Sequence, residues 1–245
     1  MKKLLISCIA LGLMTACANK NSSSDQTDST SVVAADTMNV GLSAKEKAAG
    51  VTLLFDGKSF KGWHAFKKDS ITGWTITNGV LDTKGGNGDL VSDAEYENFD
   101  LTFDFKVTKA GNSGVMYMVQ DDPKEEETWH TGIEFQIIDD NGWPDPLHDV
   151  QHSGSVYDLY PPLKMAAKPA EEWNTAEIHV TKEKVTHTIN GEKTAEYVWN
   201  SDDFKKKVAI SKFKDMPFAK KQKGHIVLQD HGQGVAFRNV KIKQL

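Results

Sequence analysis

The sequence predicts an all-β protein built as an antiparallel β-sandwich or jelly roll. Beyond Val51, short segments rich in Val, Ile, Thr, Phe and Tyr alternate apolar and polar residues, and clusters of Gly, Asn and Asp separate them. Two separators are Asn78-Gly79 and Asn190-Gly191, and Asn-Gly between alternating segments is typical of tight β-hairpins. Because no long helical period lies between the segments, we expect antiparallel sheets packed face to face.

The individual elements are predicted from local pattern. Residues 42–48 combine a Ser43 cap with good helix formers, which predicts a short helix before the first strand. Period-two alternation predicts strands in eight segments. These segments are residues 74–77, 101–107, 114–119, 133–137, 175–180, 185–189, 225–229 and 235–242. Long irregular stretches at residues 121–130 and 141–168 interrupt the pattern, and loops of this length are often functional.

The N-terminus is typical of a secreted or lipid-anchored protein. Residues 1–17 contain two lysines, the apolar run from Leu4 to Met14 and then Thr-Ala-Cys17, which resembles the lipobox of bacterial lipoproteins. We expect lipidation at Cys17, a flexible tether over residues 18–40 and the folded domain over residues 41–245. A plain secretory signal with an incidental cysteine is the alternative. Because no acidic cluster follows Cys17, a lipid anchor in the cell envelope facing the periplasm is expected.

Composition excludes several classes of function. Both cysteines, Cys8 and Cys17, lie in the N-terminal segment, so the domain has no disulfide, cysteine nucleophile or cysteine-bound zinc. Charged residues make up 26% of the chain and the formal net charge is −5. Because Lys and Arg are spread along the chain and balanced by Asp and Glu, we expect no nucleic-acid partner, and we expect contact with the membrane only through the lipid anchor. Phosphate-loop, serine-hydrolase and zinc-protease motifs are absent from the sequence.

One predicted strand presents a polar patch. Glu134 and Gln136 are two residues apart, so they share one face while Phe135 and Ile137 face the core. That polar face is therefore solvent or a concave cleft, and a merely solvated strand is the alternative. Asp139 has the opposite parity and joins the patch only if the chain bends after the strand.

A second polar group follows near the C-terminus. Gln229 and His231 share one parity, and a histidine can act as an acid, a base or a metal ligand. Arg238 opposes Val235 and Phe237 on its strand, and a guanidinium can hold a carboxylate by two hydrogen bonds. Glu134 is the expected partner of Arg238 within the protein, and that ion pair could serve architecture as well as catalysis.

Aromatic residues in the long loops suit a saccharide. Trp143 and Tyr157 can stack on the C–H face of a sugar while neighbouring amides and carboxylates bind its hydroxyls. Trp129 and Tyr160 lie in the same loops. A dedicated metal site is weakly supported, because the segment holding His148 and His152 is rich in proline and is not expected to be helical. A bound divalent ion therefore stays only a possibility, and its ligands are unknown.

These segments, in this order, resemble the 3-keto-disaccharide hydrolase domain family, whose activity is also described as 3-keto-glucoside-1,2-lyase and 3-keto-2-hydroxyglucal hydratase. The resemblance covers about residues 42–245. It rests on LFDGKSFKGW at 54–63, NSGV at 112–115, GIEFQIID at 132–139, GSVY at 154–157, WN at 173–174, NG at 190–191, GHIVLQDHG at 224–232 and FRN at 237–239. The family implies a concanavalin A-like lectin/glucanase jelly roll whose concave face binds sugar.

The resemblance also implies a reaction and a polar cleft. A glycoside already oxidised at C3 loses its C2 proton, the aglycone leaves C1, and water adds to the resulting 3-keto-2-hydroxyglucal. By resemblance, the cleft positions are Glu134, Gln136, Asp139, Gln229, His231 and Arg238.

Our own hypothesis is that Glu134 or His231 is the base and that Arg238 or a divalent ion stabilises the enolate. The alternative is a lectin-like module that binds carbohydrate without cleaving it, since this fold hosts both functions.

Overall fold

The computed structural model describes residues 41–245, and the predicted signal peptide, Cys17 and the tether lie outside the described residues. Two antiparallel sheets contain all thirteen strands of this part of the chain, which confirms the predicted all-β fold. In chain order the strands are β1 (Thr52–Leu53), β2 (Trp63–Ala65), β3 (Trp74–Thr77), β4 (Val80–Thr83), β5 (Leu90–Tyr96), β6 (Phe99–Val107), β7 (Asn112–Val119), β8 (Ile133–Ile138), β9 (Asn174–Val180), β10 (Val185–Ile189), β11 (Glu192–Tyr197), β12 (Gly224–Leu228) and β13 (Val235–Gln244).

The two sheets differ in size and content. The larger sheet has eight strands in the order β11-β10-β9-β6-β13-β4-β3, with β1 pairing with β13. The smaller sheet has five strands in the order β2-β5-β12-β7-β8. Strands that are neighbours in space are therefore often distant in sequence, as where β12 pairs with both β5 and β7. This topology places β7, β8 and β12 side by side. These strands and the residues that directly follow β12 carry Asn112, Glu134, Gln136, Gln229 and His231.

Local sequence explains the hairpins and the first helix. At both Asn-Gly turns the two central residues have positive φ, 52° and 79° at Asn78-Gly79 and 52° and 82° at Asn190-Gly191, as tight hairpins require. These turns connect β3 to β4 and β10 to β11. The predicted helix α1 (Ala44–Ala48) is present, and Ser43 forms a capping box with Glu46.

A second helix was not predicted. Helix α2 (Asp202–Ile210) begins at the Ser201 cap, whose Oγ accepts the backbone N–H of Phe204. Its only fully buried residue is Phe204, so its apolar face is too narrow to give a clear helical period. Two 3-10 turns, Thr128–His130 and Asp149–Gln151, lie in the two long loops. Neither α-helix has the length and apolar character needed to cross a bilayer.

The main core lies between the sheets and is rich in aromatic rings. Phe135 of the smaller sheet packs edge-on against Phe103 of the larger sheet, with ring centroids 5.5 Å apart. Phe105 and Phe237 extend this contact. Each such buried ring contributes about 2–3 kcal/mol through removal of apolar surface from water. Since Phe135 points inward, its neighbours along β8 must point to the outer face of the smaller sheet.

Part of that outer face is covered by a separate apolar cluster. The cluster consists of Phe66, Val91, Met116, Val119 and Val227, with Trp129 packed against it. Residues 128–130 form the 3-10 turn that brings Trp129 there. Because this cluster closes one part of the outer face, the polar positions on β7 and β8 are enclosed instead of lying open to solvent.

Candidate active site

A polar cavity of about 140 Å³ opens on the outer face of the smaller sheet. Two strands and four of the segments that connect strands supply its walls. The lining residues are Asn112, Trp129, Glu134, Gln136, Tyr157, Lys212, Gln229 and His231. The cavity thus combines one carboxyl, one ammonium, one imidazole, three amides and two aromatic rings.

Glu134 is the carboxyl of this cavity and is only 6% exposed. Burial raises its pKa to about 8, although the positive charge of Lys212 lowers it and the negative charge of Asp89 raises it further. Its side chain lies across Gly114 on β7, where an added Cβ would be 2.5 Å from Oε1. A glycine is therefore required at position 114 for this carboxyl to sit in the cavity. A pKa near 8 lets Glu134 hold or release a proton close to neutral pH.

Lys212 supplies the positive charge, and the sequence analysis did not identify it. Its ammonium Nζ lies 4.3 Å from the ring centroids of both Trp129 and Tyr157. Its backbone N–H donates to Asp158 Oδ2 over 2.8 Å, which holds the segment after α2 against the loop carrying Tyr157. Desolvation lowers the pKa of Lys212, and the charges of Glu134 and Asp158 oppose that shift.

The three amides leave oxygen atoms without partners. Asn112 Oδ1, Gln136 Oε1 and Gln229 Oε1 are buried, and they have no hydrogen-bond donor among residues 41–245. A buried acceptor without a donor costs about 1–3 kcal/mol, so such groups are kept where a ligand can satisfy them. Three in one cavity fit a ligand with several hydroxyl groups. The structure thus places Gln136 and Gln229 in one cavity, together with Asn112.

His231 lies at the exposed side of the cavity. Its Nδ1 is 3.1 Å from Gln233 Oε1, and its ring meets Trp143 edge-on with centroids 6.4 Å apart. Trp143 does not line the cavity, but it packs against His231, which does. Asp230 shapes the loop, because its carboxylate accepts the backbone N–H groups of Gly86, Asn87 and Gly232. The hydrogen bonds of Asp230 thus fix the backbone that carries the His231 imidazole.

The structure corrects the prediction for Arg238. Its strand β13 belongs to the larger sheet, whereas Glu134 lies on β8 of the smaller sheet, so the expected Arg238–Glu134 pair does not form. Arg238 Nε instead donates to Asp104 Oδ2 over 3.0 Å, and the guanidinium lies 4.2 Å from the centroid of the Trp173 ring. As predicted, Phe237 faces the core and Arg238 faces the opposite side of β13. That opposite side of the larger sheet, however, faces away from the cavity. Lys212 provides the cation there.

Asp139 does not line the cavity, so its predicted place in the cleft is wrong, and its carboxylate instead stabilises a turn. Its Oδ1 accepts the backbone N–H groups of Asn141 and Gly142, and its Oδ2 accepts that of Ala110. A carboxylate with three backbone donors stabilises the turn after β8 and has little capacity left for a ligand. Of the predicted binding residues, Gln136, Tyr157 and Gln229 therefore line the cavity, Trp143 adjoins it, and Asp139 supports it from outside.

No metal site is formed by the part of the chain that the structure describes. Within residues 41–245, no three His, Cys, Asp or Glu side chains are grouped closely enough to hold an ion. His152 Nδ1 is paired with Asp140 at 3.0 Å, and His148 is exposed at the start of a 3-10 turn. Glu134 and His231 are the only carboxyl and imidazole groups among the residues lining the cavity, and its three amide oxygens are neutral donors that do not supply the further carboxylates of a typical divalent-ion site. No chemical step is therefore assigned to a metal.

The fold and the cavity together define a β-sandwich protein with an enclosed site for a polyhydroxylated ligand on one sheet. Comparison with known proteins gives the family. The 3-keto-alpha-glucoside-1,2-lyase-like domain matches residues 50–243, and the chain belongs to this family. A relative from Bacteroides thetaiotaomicron, named 3-keto-disaccharide hydrolase, is 31% identical over 282 aligned positions that cover 98% of this chain and 97% of the relative.

Solved structures show the same fold. A candidate glycosyl hydrolase from Parabacteroides distasonis superposes with a TM-score of 0.81 and is 36% identical, covering 84% of this chain and 99% of its own. A second candidate glycosyl hydrolase from the same organism has a TM-score of 0.62 and 28% identity, covering 80% of this chain and 99% of its own. These similarities confirm the jelly-roll fold and the resemblance inferred from the sequence motifs.

Proposed function

We propose that the protein cleaves glycosides whose sugar is already oxidised at C3, by elimination across C1 and C2 followed by hydration. The observation that carries this proposal is Glu134, a buried carboxyl whose pKa burial raises to about 8, in a cavity that also holds the Lys212 ammonium. Membership of the 3-keto-alpha-glucoside-1,2-lyase-like family supports the choice of substrate class. So does the name of the Bacteroides thetaiotaomicron relative.

The cavity walls bind and orient the sugar ring. The unpartnered oxygens of Asn112, Gln136 and Gln229 accept hydrogen bonds from sugar hydroxyls. The rings of Trp129 and Tyr157 pack against the apolar faces of the sugar. Holding the ring in one orientation lowers the barrier by removing the entropy cost of aligning the C2 proton with its base.

Glu134 is the base in the first step. The C3 ketone acidifies the C2 proton, and the Glu134 carboxylate takes it, so the C–H electron pair becomes the enolate of C2 and C3. Negative charge develops on the C3 oxygen, and the Lys212 ammonium stabilises it. A carboxylate in a desolvated cavity is a stronger base than one in water, because burial disfavours its charge.

Departure of the aglycone and hydration complete the net hydrolysis. The enolate electrons re-form the C3 carbonyl and the C1–C2 double bond while the C1–O bond breaks. His231, at the exposed side of the cavity, donates a proton to the departing oxygen. Water then adds to C1 of the 3-keto-2-hydroxyglucal, His231 takes a proton from this water, and Glu134, after its proton has exchanged with solvent, protonates C2.

A conventional glycosidase mechanism is less well supported. Such enzymes place two carboxyl groups on either side of the glycosidic bond, and Glu134 is the only carboxyl among the residues lining this cavity. Asp89 lies close enough to affect the pKa of Glu134, but its oxygens accept hydrogen bonds from Thr128 and Asp230. Asp89 is therefore unsuitable as a nucleophile.

Turnover of a 3-keto-glucoside in D₂O tests the mechanism. The proposal expects release of the aglycone and deuterium at C2 of the product, because a solvent-derived proton returns to that carbon. Direct hydrolysis would retain the C2 hydrogen and contradict the elimination. Product incubated without enzyme controls for spontaneous exchange.

Two variants separate catalysis from binding. Glu134→Gln is expected to lose about 10²- to 10⁴-fold in rate while still binding the sugar. Glu177→Gln removes an exposed carboxyl on β9 and serves as the matched control with normal turnover. Sugar binding by the unaltered protein without any aglycone release would favour a lectin-like module and overturn the enzymatic proposal.

We also propose that the protein is a lipoprotein of the cell envelope, anchored through Cys17 and facing the periplasm. The lipobox-like sequence before Cys17 supports this location. In cells, Cys17→Ala is expected to shift the protein from the membrane fraction to the soluble fraction. Mass spectrometry of the unaltered protein should find an acylated Cys17 as the first residue, and an unmodified cysteine there would contradict the proposal.

A further inference from the structure

The segment from α2 to the start of β12 carries an unusual concentration of positive charge. Residues 205–223 contain eight lysines and one aspartate, whereas the whole chain has a formal net charge of −5. The expectation that basic residues are spread along the chain and balanced by acidic ones is therefore wrong for this segment. Charge of one sign confined to one region creates a local potential that the net charge conceals.

Five of these lysines are available to a partner. Lys207 lies over the Tyr160 ring, Lys212 lines the cavity, and Lys223 is paired with Glu95 at 3.3 Å. The remaining five are exposed and make no ion pair with any residue in the range 41–245. These five are Lys205, Lys206, Lys214, Lys220 and Lys221.

The same region contains an apolar groove of about 350 Å³, which we name the lysine groove. Its floor is formed largely by apolar side chains of α2 and of the segment after it, and Lys205, Lys214 and Lys220 stand on its walls. The lining residues are Asn200, Phe204, Lys205, Val208, Ala209, Lys214, Phe218, Ala219 and Lys220. An apolar floor with a cationic rim matches a ligand that is anionic at its surface and apolar beneath.

Ile210 adds an exposed apolar side chain at the end of α2. It is 87% exposed, more than any other large hydrophobic residue described in the structure. Along α2, Phe204 is buried while Lys205, Lys206 and Ile210 face solvent. A lysine-rich helix face that also exposes a large aliphatic residue is typical of helices that lie at a membrane surface.

We propose that the lysine groove and the exposed face of α2 bind the anionic surface of a lipid bilayer. The unpaired lysines contact lipid phosphates, and Ile210 enters the boundary of the acyl chains. A polyanionic polysaccharide would also match the charge of the lysines, but it has no apolar part to contact the floor of the groove or Ile210. This surface is separate from the candidate active site, since no residue lines both cavities. Binding would be independent of an anchor at Cys17.

Residues 38–245 are suitable for the test. They include both sheets and the described core, which lie within residues 41–245, and this described part matches 99% of the chain of a solved relative. This unit also lacks Cys17 and the apolar leader, so neither can contribute to vesicle binding.

Co-sedimentation with vesicles measures the interaction. The unit is expected to bind vesicles that contain phosphatidylglycerol, to ignore pure phosphatidylcholine vesicles and to dissociate as salt is added. Lys205→Ala with Lys206→Ala should weaken binding about 25-fold, since each lysine near an anionic surface contributes roughly a fivefold factor. Ile210→Ser should weaken binding without changing its dependence on salt.

Matched controls decide between outcomes. Lys58→Ala with Lys61→Ala removes the same charge from exposed lysines in the loop between β1 and β2 and should leave binding unchanged. Equal losses in both double variants would overturn the proposal, because net charge alone would then explain binding. Binding to dextran sulfate but not to anionic vesicles would also overturn it and identify a polysaccharide site. Turnover of a soluble substrate should be normal in every variant.

Discussion

Asp89 and Asp230 are joined by a 2.8 Å hydrogen bond in which the backbone N–H of Asp230 donates to Asp89 Oδ1. The hydroxyl of Thr128 donates to the other oxygen of Asp89 over 2.5 Å. Asp230 immediately precedes His231, and Thr128 immediately precedes Trp129. One carboxyl beneath the cavity therefore holds two of its walls, and burial raises the pKa of this carboxyl to about 6.

Asp89→Asn should reduce activity through misplacement of these walls. An asparagine can present only one acceptor oxygen, so either Thr128 or Asp230 loses its partner. We expect kcat/KM to fall about 10- to 100-fold in a protein that still folds, because small displacements of catalytic groups are costly. Asp93→Asn, an exposed change on β5, is the control and should retain activity. Equal kinetics for Asp89→Asn and the unaltered protein would contradict this role.

Glu134→Gln should stabilise the protein at alkaline pH. The folded state raises the pKa of Glu134 from 4.5 to about 8, so it binds the proton more tightly than the unfolded state. The free energy of unfolding of the unaltered protein therefore falls as pH rises from about 4.5 to about 8. A neutral glutamine avoids this loss, which amounts to at most about 5 kcal/mol. Thermal melts should show equal pH dependence below pH 4.5 and a growing advantage for the variant above it; parallel curves would refute the prediction.

The pH dependence of kcat/KM should follow the charges around Glu134. As the carboxylate is the base, the rate is expected to rise with pH up to about 8. The charge of Lys212 lowers the pKa of Glu134, and the charge of Asp89 raises it. The rising part of the pH profile, which we call the limb, should therefore move to higher pH in Lys212→Met and to lower pH in Asp89→Asn. Lys214→Met, in the neighbouring part of the chain, should leave the limb in place. Shifts of both active-site variants in the same direction would rule out these charge effects.

Loss of the Lys212 charge should also lower the maximal rate. Lys212 stabilises the enolate oxygen, and removal of one such group typically costs about 10²- to 10³-fold in kcat. Lys212→Arg keeps the charge but differs in shape, so partial recovery relative to Lys212→Met is expected. Steady-state kinetics at a pH where Glu134 is ionised in each variant separate this effect from the shifted limb. A kcat of Lys212→Met equal to that of the unaltered protein would exclude a catalytic Lys212.

Arg238→Met should affect stability and leave catalysis unchanged. Arg238 Nε and Asn239 Nδ2 both donate to Asp104 Oδ2, at 3.0 and 2.9 Å. Without the guanidinium, the largely buried Asp104 carboxylate loses a charged hydrogen-bond donor and keeps the one from Asn239. We expect this change to lower the free energy of unfolding by about 2 kcal/mol. Denaturant unfolding measures this loss, and kcat/KM on a 3-keto-glucoside is the second readout. A large fall in kcat/KM for the folded variant would contradict this structural role and indicate that Arg238 takes part in catalysis.

Alternation along each strand correctly predicted which side chains share a face, but it could not show which sheet a strand joins. Glu134 and Arg238 both lie opposite core phenylalanines, as their sequence neighbours indicate. They nevertheless belong to different sheets, because strand pairing depends on contacts between residues far apart in the chain. Asp139 shows a similar limit, since three backbone N–H groups that it meets only after folding occupy its carboxylate.

The amino-acid sequence alone determined the strands, the Asn-Gly hairpins and the family, because period-two alternation, turn chemistry and ordered motifs are local properties. It also identified Glu134, Gln136, Gln229 and His231 as polar groups outside the core. Only the tertiary structure brought Lys212 beside Glu134 and buried the Glu134 carboxyl. Lys212 follows a helix in a lysine-rich segment, and nothing in its immediate neighbours distinguishes it from lysines that face solvent. Its position depends on how that segment packs against the loops of Trp129 and Tyr157, and so does the burial that raises the pKa of Glu134.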